Sequence, residues 1–81
     1  MNLKEEILDF KNEVTDKGMY MDTYLNKRKD FINRIDSYSI RSMKFFTYLY
    51  YLDLISKEQY LNMKDKIDKS MRYYKSLLSF N

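Results

Sequence analysis

Apolar residues recur every three or four positions along most of the chain, the spacing that places side chains on one face of an α-helix. In the first segment this stripe consists of Leu3, Ile7, Phe10 and Val14. Asn2 is suited to cap the beginning of the helix, and Gly18 can take the left-handed conformation that ends one. The pattern predicts a helix over residues 2–17.

A second stripe predicts a helix over residues 20–36. Its members are Tyr24, Phe31, Ile35 and Tyr38. Ser37 and Ser39 then offer side-chain caps that favour a break before the next helix. Because neither glycine nor proline occurs there, two interpretations stay open. The second and third helices are separate, or they form one bent helix.

The third predicted helix, residues 40–54, is apolar in nearly every direction around its axis. Phe45, Phe46, Tyr48, Leu49, Tyr50, Tyr51, Leu52 and Leu54 lie within it. A helix of this kind belongs in an interior or in an interface. A helix in a small bundle can turn only part of its circumference toward the core. We therefore expect some of its rings to remain outside the core.

The fourth helix begins at the clearest local signal in the chain, a capping box formed by Ser56 and Gln59. Its stripe is Tyr60, Met63, Ile67, Met71, Tyr74 and Leu78. The predicted range is 57–78. No segment shows the alternation typical of a β-strand. The sequence predicts an all-α fold, a small bundle of three to four helices in a single domain spanning residues 1–81.

Composition excludes many reactions, since the 81 residues include no cysteine, no histidine and one glycine. Thiolate and imidazole nucleophiles, the usual zinc sites and glycine-rich phosphate loops are therefore absent. The acidic residues of the first helix are interpreted as a solvated face rather than a metal site. They are Glu5, Glu6, Asp9, Glu13 and Asp16. We expect no enzymatic activity, cofactor, metal or small-molecule substrate.

The longest apolar run, residues 45–52, is too short to cross a membrane, and the first residues are acidic rather than basic. These features predict a cytoplasmic protein without a membrane partner. Abundant Lys, Asn, Ile, Tyr and Phe, with no alanine or proline, indicate AT-rich codons. This composition favours a low-GC genome, of the kind found in some bacteria, phages and plasmids.

The net charge of +3 is unevenly distributed. Residues 1–26 carry three basic and six acidic side chains, whereas residues 27–81 carry twelve and six. Candidate contacts to nucleic acid or an acidic partner are Lys27, Arg28, Lys29, Arg34, Arg41, Lys44, Arg72 and Lys75. The corner at Ser56 also resembles the turn of a helix-turn-helix, with Lys57, Gln59 and Asn62 following it. One hypothesis is therefore a basic DNA- or RNA-binding regulator, with dimerisation through the aromatic helix as an option.

The surplus of aromatic residues favours a different function, because tyrosine and methionine are enriched in protein interfaces. The candidate partner-binding residues are Phe45, Tyr48, Tyr51, Leu52 and Tyr73. The leading hypothesis is a small non-enzymatic regulator or inhibitor, of the phage or plasmid accessory type. It would act stoichiometrically on a partner protein, or associate with a second copy as a homodimer.

Overall fold

The chain folds into three α-helices in a computed structural model that describes residues 2–79. They are α1 (Leu3–Lys17), α2 (Met21–Tyr51) and α3 (Lys57–Leu77). No strand occurs among the described residues. The all-α prediction is confirmed.

The predicted second and third helices are one helix, so the version of the fold with four helices is wrong. α2 is 31 residues long and continues through Ser37, Tyr38 and Ser39 without a break. The Ser39 hydroxyl donates to the Ile35 carbonyl at 3.1 Å, a bond that a serine can make inside a helix instead of capping a new one. α2 also ends at Tyr51, earlier than predicted. A bend in α2 stays a prediction.

The ends of α1 follow from local chemistry. The Asn2 side chain accepts a hydrogen bond from the Glu5 backbone N–H at 2.9 Å. Gly18 has φ 77° and ψ 163°, a combination that is almost restricted to glycine because it lacks a Cβ. The helix ends where predicted, although ψ of Gly18 is extended rather than left-handed helical.

The corner between α2 and α3 has two parts. The Leu54 N–H donates to the Leu49 carbonyl and the Asp53 N–H to the Tyr50 carbonyl, the pair of bonds that defines a Schellman motif. Asp53 occupies its left-handed position, with φ 57°. Ser56 and Gln59 then form the predicted capping box, with both reciprocal bonds present.

α1 packs antiparallel to the first half of α2, because Glu6 contacts Arg34 and Glu13 contacts Lys27. Phe10 of α1 lies between two α2 rings, 5.7 Å from Tyr24 and 5.3 Å from Phe31 between centroids. The fully or nearly buried side chains are Ile7, Phe10, Ile35 and Leu78. The core thus forms where all three helices meet.

α3 packs antiparallel to α2 along the rest of its length. The rings of Tyr50 and Tyr60 stack near the corner with centroids 5.0 Å apart, and Lys75 pairs with Asp36 at 2.8 Å toward the other end. We call residues 38–70 the two-helix half, because α1 does not extend along it. Residues 3–37 and 71–78 form the three-helix half. The molecule is accordingly long, with extents of 51 × 21 × 18 Å.

Candidate functional site

The two-helix half exposes much of the apolar surface of α2. Phe45 is 56% exposed, Tyr48 61%, Tyr51 84% and Leu52 45%. Ile40 and Leu54 are also more than half exposed. Large apolar side chains are normally covered when enough neighbouring helices are present, but here α3 is the only neighbour within the described residues. The candidate site is therefore the uncovered surface of this half.

One apolar groove, which we call the distal groove, lies along α2 on the side away from α1. It has a volume of about 610 Å³ and is lined by α2 residues including Ile40, Met43, Thr47, Tyr48 and Tyr51. Lys44 and the α3 residue Asp68 add one charge of each sign. The lining otherwise offers mainly rings and methyl groups for contact, as apolar binding grooves do.

A second groove, which we call the proximal groove, begins at the first turn of α1 and continues between α2 and α3. Its volume is about 440 Å³, and its lining includes Leu3, Tyr38, Ser42, Met63 and Lys66. Ile67 lines both grooves and so lies at the seam between the two helices. Ser39, Ser42 and Ser70 line the proximal groove with small side chains. These serines leave space that larger residues would fill.

The structure does not bring all the predicted partner-binding residues onto one surface. Tyr48 and Tyr51 line the distal groove together. Phe45 and Leu52 lie on the other side of α2, since they continue the helical spacing of Tyr38 in the proximal groove. Tyr73 lies on α3 beside α1, where the Lys4 ammonium is 5.9 Å from its ring centroid. The candidate site therefore has two sides, and Tyr73 belongs to neither.

Ion pairs already involve three of the eight predicted basic contacts. Arg34 binds the Glu6 carboxylate through two nitrogens at 2.6 and 3.3 Å. Lys27 pairs with Glu13 at 3.7 Å, and Lys75 with Asp36 at 2.8 Å. The other five are Arg28, Lys29, Arg41, Lys44 and Arg72. Three of the residues predicted to contact phosphates thus hold the helices together.

The Glu6–Arg34 pair is also the clearest electrostatic feature of the described residues. The hydrogen bond from Arg34 lowers the pKa of the Glu6 carboxyl, and the same bond raises the pKa of the Arg34 guanidinium. Each group is stabilised in its charged form by the other. Arg34 also lies 5.7 Å from the Phe31 ring centroid. Its position beside α1 is therefore fixed by charge and by packing.

The corner at Ser56 offers less to nucleic acid than the sequence predicted. The Gln59 side chain accepts a hydrogen bond from the Ser56 backbone N–H at 2.8 Å. This amide oxygen is occupied in the capping box. Lys57 and Asn62 are exposed. A helix-turn-helix contact to DNA would therefore use Lys57 and Asn62 but not the side-chain oxygen of Gln59.

Sequence reasoning missed the two grooves as sites, and with them Ile40, Met43, Ser42 and Met63. One signal for the proximal groove was present. Ser42 stands at a stripe position of α2 between Tyr38 and Phe45, where the spacing otherwise places apolar residues. A small polar residue at such a position indicates a gap in the packing.

Across residues 2–79, no three His, Cys, Asp or Glu side chains come together in an arrangement suited to a metal ion. None of the three described helices has the length and apolar character required to cross a membrane. No family model, curated protein or solved structure matches the chain.

Proposed function

We propose that this chain is a small non-enzymatic protein that binds another protein stoichiometrically, as a regulator or inhibitor, through the two-helix half. The observation that carries the proposal is the exposure of Phe45, Tyr48, Tyr51 and Leu52 on one half of one helix. Buried aromatic anchors dominate the affinity of many protein interfaces. Such anchors are available here before binding and require no rearrangement of the core.

The size of this surface supports the proposal. At roughly 200 Å² for each ring, the exposed parts of Phe45, Tyr48 and Tyr51 together amount to about 400 Å². Ile40 and Leu52 add to it. The largest apolar patch on a typical monomer is about 300–600 Å² and is often functional. Summed over its two sides, the exposed apolar surface of the two-helix half is therefore comparable in area to such a patch.

Nucleic-acid binding is the alternative, and the ion pairs of Lys27, Arg34 and Lys75 count against it. Contacts to phosphate need free cations that follow one track. The remaining basic residues of α2 are Arg28, Lys29, Arg41 and Lys44, and they spread over about 220° of its circumference, by about 100° for each residue of a helix. They do not form a single line along it.

The test compares tyrosines with nearly equal exposure in different places. Tyr51 in the two-helix half is 84% exposed, and Tyr20, at the beginning of α2, is 85% exposed. Tagged wild-type chain, Tyr51→Ser and Tyr20→Ser would each be used to capture partners from the source cell, with and without nuclease. We expect Tyr51→Ser to lose the captured protein while Tyr20→Ser retains it.

Circular dichroism of the same variants must show unchanged helix content. Unfolding of Tyr51→Ser would mean that the ring belongs to the core, which contradicts the proposal. Loss of the captured protein on nuclease treatment would favour the nucleic-acid alternative instead. That alternative also predicts a steep loss of binding between low and physiological salt.

A further inference from the structure

The contact between α1 and α2 demonstrates how this chain holds an amphipathic helix. The apolar side of α1 places Ile7 and Phe10 in the core against α2. At its edge, Glu6 and Glu13 reach Arg34 and Lys27. Both the two carboxylates and the two cations are seven residues apart. α2 therefore presents an apolar stripe with a basic edge, and α1 presents an apolar stripe with an acidic edge.

The apolar pattern of α2 continues for about four turns past the first residue of α1. The stripe of Phe31 and Ile35 is extended at intervals of three and four by Tyr38, Ser42, Phe45, Leu49 and Leu52. The basic edge is extended by Arg41, seven residues after Arg34. Seven residues are close to two helical turns, so Arg41 lies on the same side of α2 as Arg34 and Lys27.

Arg41 differs from the two cations that precede it in having no carboxylate beside it. It is exposed, and no ion pair involves it within residues 2–79. Across the proximal groove, Lys66 of α3 is exposed and likewise in no ion pair there. The proximal groove thus has the free cation Lys66 in its lining on α3, and the apolar stripe of α2 has the free cation Arg41 beside it.

The proximal groove begins beside the first turn of α1. Leu3, the first residue of α1, forms part of its lining together with Tyr38 and Met71. From residue 38 to residue 52 the stripe is about 21 Å long, which matches four turns of an α-helix. The small side chains of Ser42 and Ser70 would let a helix approach closely. A helix placed there would continue the line of α1.

We infer that the proximal groove and the stripe beyond it bind an acidic amphipathic α-helix of a partner protein, in line with α1, with one carboxylate on Arg41. This inference rests on the proposed function and adds the chemical class of the partner. A second copy is less suited to the groove, because a two-fold axis would bring the basic edges of Arg41 and Lys66 toward their own equivalents.

The experiment uses the full chain and two synthetic fluorescein-labelled helical peptides. Each peptide has leucines at intervals of three and four; the first has glutamates along both edges, and the second has lysines at the same positions. Fluorescence anisotropy measures their dissociation constants. We expect the glutamate peptide to bind in the micromolar range and the lysine peptide at least about tenfold more weakly.

Charge reversal on the protein then locates the bound peptide. Arg41→Glu should weaken binding of the glutamate peptide by about tenfold and strengthen binding of the lysine peptide. The matched control is Lys44→Glu, which makes the same charge change on the distal groove. It should alter both affinities much less. Equal effects of the two variants, or equal binding of the two peptides, would overturn the inference.

Analytical sedimentation of the unlabelled chain measures its oligomeric state and tests whether a second copy occupies the proximal groove. A dimer that Arg41→Glu strengthens and that excludes the glutamate peptide would assign the groove to a second copy, against the inference. If neither peptide binds while Tyr51→Ser still loses its captured protein, the inference fails and the proposed function stands. If the glutamate peptide binds but Tyr51→Ser still captures that protein, the claim that the exposed aromatic residues bind the partner is contradicted.

Discussion

The two halves of α2 have similar apolar patterns but different surroundings. In the three-helix half, Ile35 is 2% exposed because α1 and α3 both pack around it. In the two-helix half, Phe45 continues the same stripe and is 56% exposed. Within residues 2–79, all four buried side chains belong to the three-helix half. The apolar stripe of α2 is therefore buried only where α1 packs beside it in addition to α3.

The difference separates stability from recognition within one small domain. The three-helix half carries the buried side chains and the ion pairs of Glu6 and Glu13. In the two-helix half, α3 alone packs against α2. The contacts there include the stack of Tyr50 on Tyr60 and the capped corner. Regions with few buried contacts open at lower free energy than a core does. Substitutions in the two halves should accordingly differ in their effect on unfolding.

The largest effect is expected from matched isoleucine substitutions in the two halves. Ile7 is 0% exposed and Ile40 is 55% exposed. Ile7→Ala should lower the free energy of unfolding by about 2–5 kcal/mol, since it leaves a cavity in the core. Ile40→Ala should lower it by about 1 kcal/mol or less. Urea unfolding followed by circular dichroism measures both, and equal losses would contradict the division into halves.

The capping box should account for part of the stability of the corner. Ser56→Ala removes the acceptor of the Gln59 N–H, and we expect a loss of about 1 kcal/mol. Ser76→Ala is the control, because Ser76 lies near the end of α3 and its hydroxyl bonds only to the preceding turn at Tyr73. Its effect should be within about 0.5 kcal/mol. A loss from Ser56→Ala no larger than the control would exclude a stabilising role for the cap.

Replacing the left-handed residue at the corner with glycine should increase the stability of the fold, whereas the two preceding substitutions decrease it. Asp53 has φ 57°, which disfavours residues with a Cβ. Asp53→Gly should raise the free energy of unfolding by about 0.5–1 kcal/mol, measured by the same urea titration. Asp53→Asn removes the charge but keeps the Cβ. Because both variants remove the charge, a gain from asparagine as large as that from glycine would indicate that charge near the α2 carboxyl end, rather than backbone conformation, limits stability.

The smallest effect concerns pH. Arg34 lowers the pKa of Glu6 below its ordinary value of 4.5, so ionised Glu6 stabilises the folded chain. This contribution is present above about pH 4.5 and is lost as the pH falls through the lowered pKa. The melting temperature of wild type should therefore fall more between pH 6 and pH 3 than that of Glu6→Gln.

Asp16→Asn provides the control for this pH comparison, since Asp16 is an exposed carboxylate on the same helix. Its melting temperature should follow the wild-type dependence on pH. A Glu6→Gln variant with the wild-type dependence would show that the Glu6–Arg34 pair contributes nothing measurable to folding.

Much of the fold could be predicted because helix boundaries depend on neighbouring residues. Asn2, Gly18 and Ser56 act through bonds or backbone angles within a few positions, and all three mark real ends. Ser39 shows the limit of this reasoning. A serine can cap a new helix or bond back to the preceding turn, and nothing local to the sequence decides between them. Asp53 was missed as a helix end because its left-handed conformation usually belongs to glycine or asparagine.

The candidate site was harder to predict because it depends on how far one helix extends beside another. The sequence by itself determined an all-α chain, its capped ends and a surplus of rings around the second half of α2. Only the tertiary structure decided that α1 begins beside Tyr38 and therefore does not cover Phe45 and Leu52 as it covers Ile35. The physical reason is that periodicity fixes which side of a helix is apolar, whereas burial requires a neighbour at the same height along its axis.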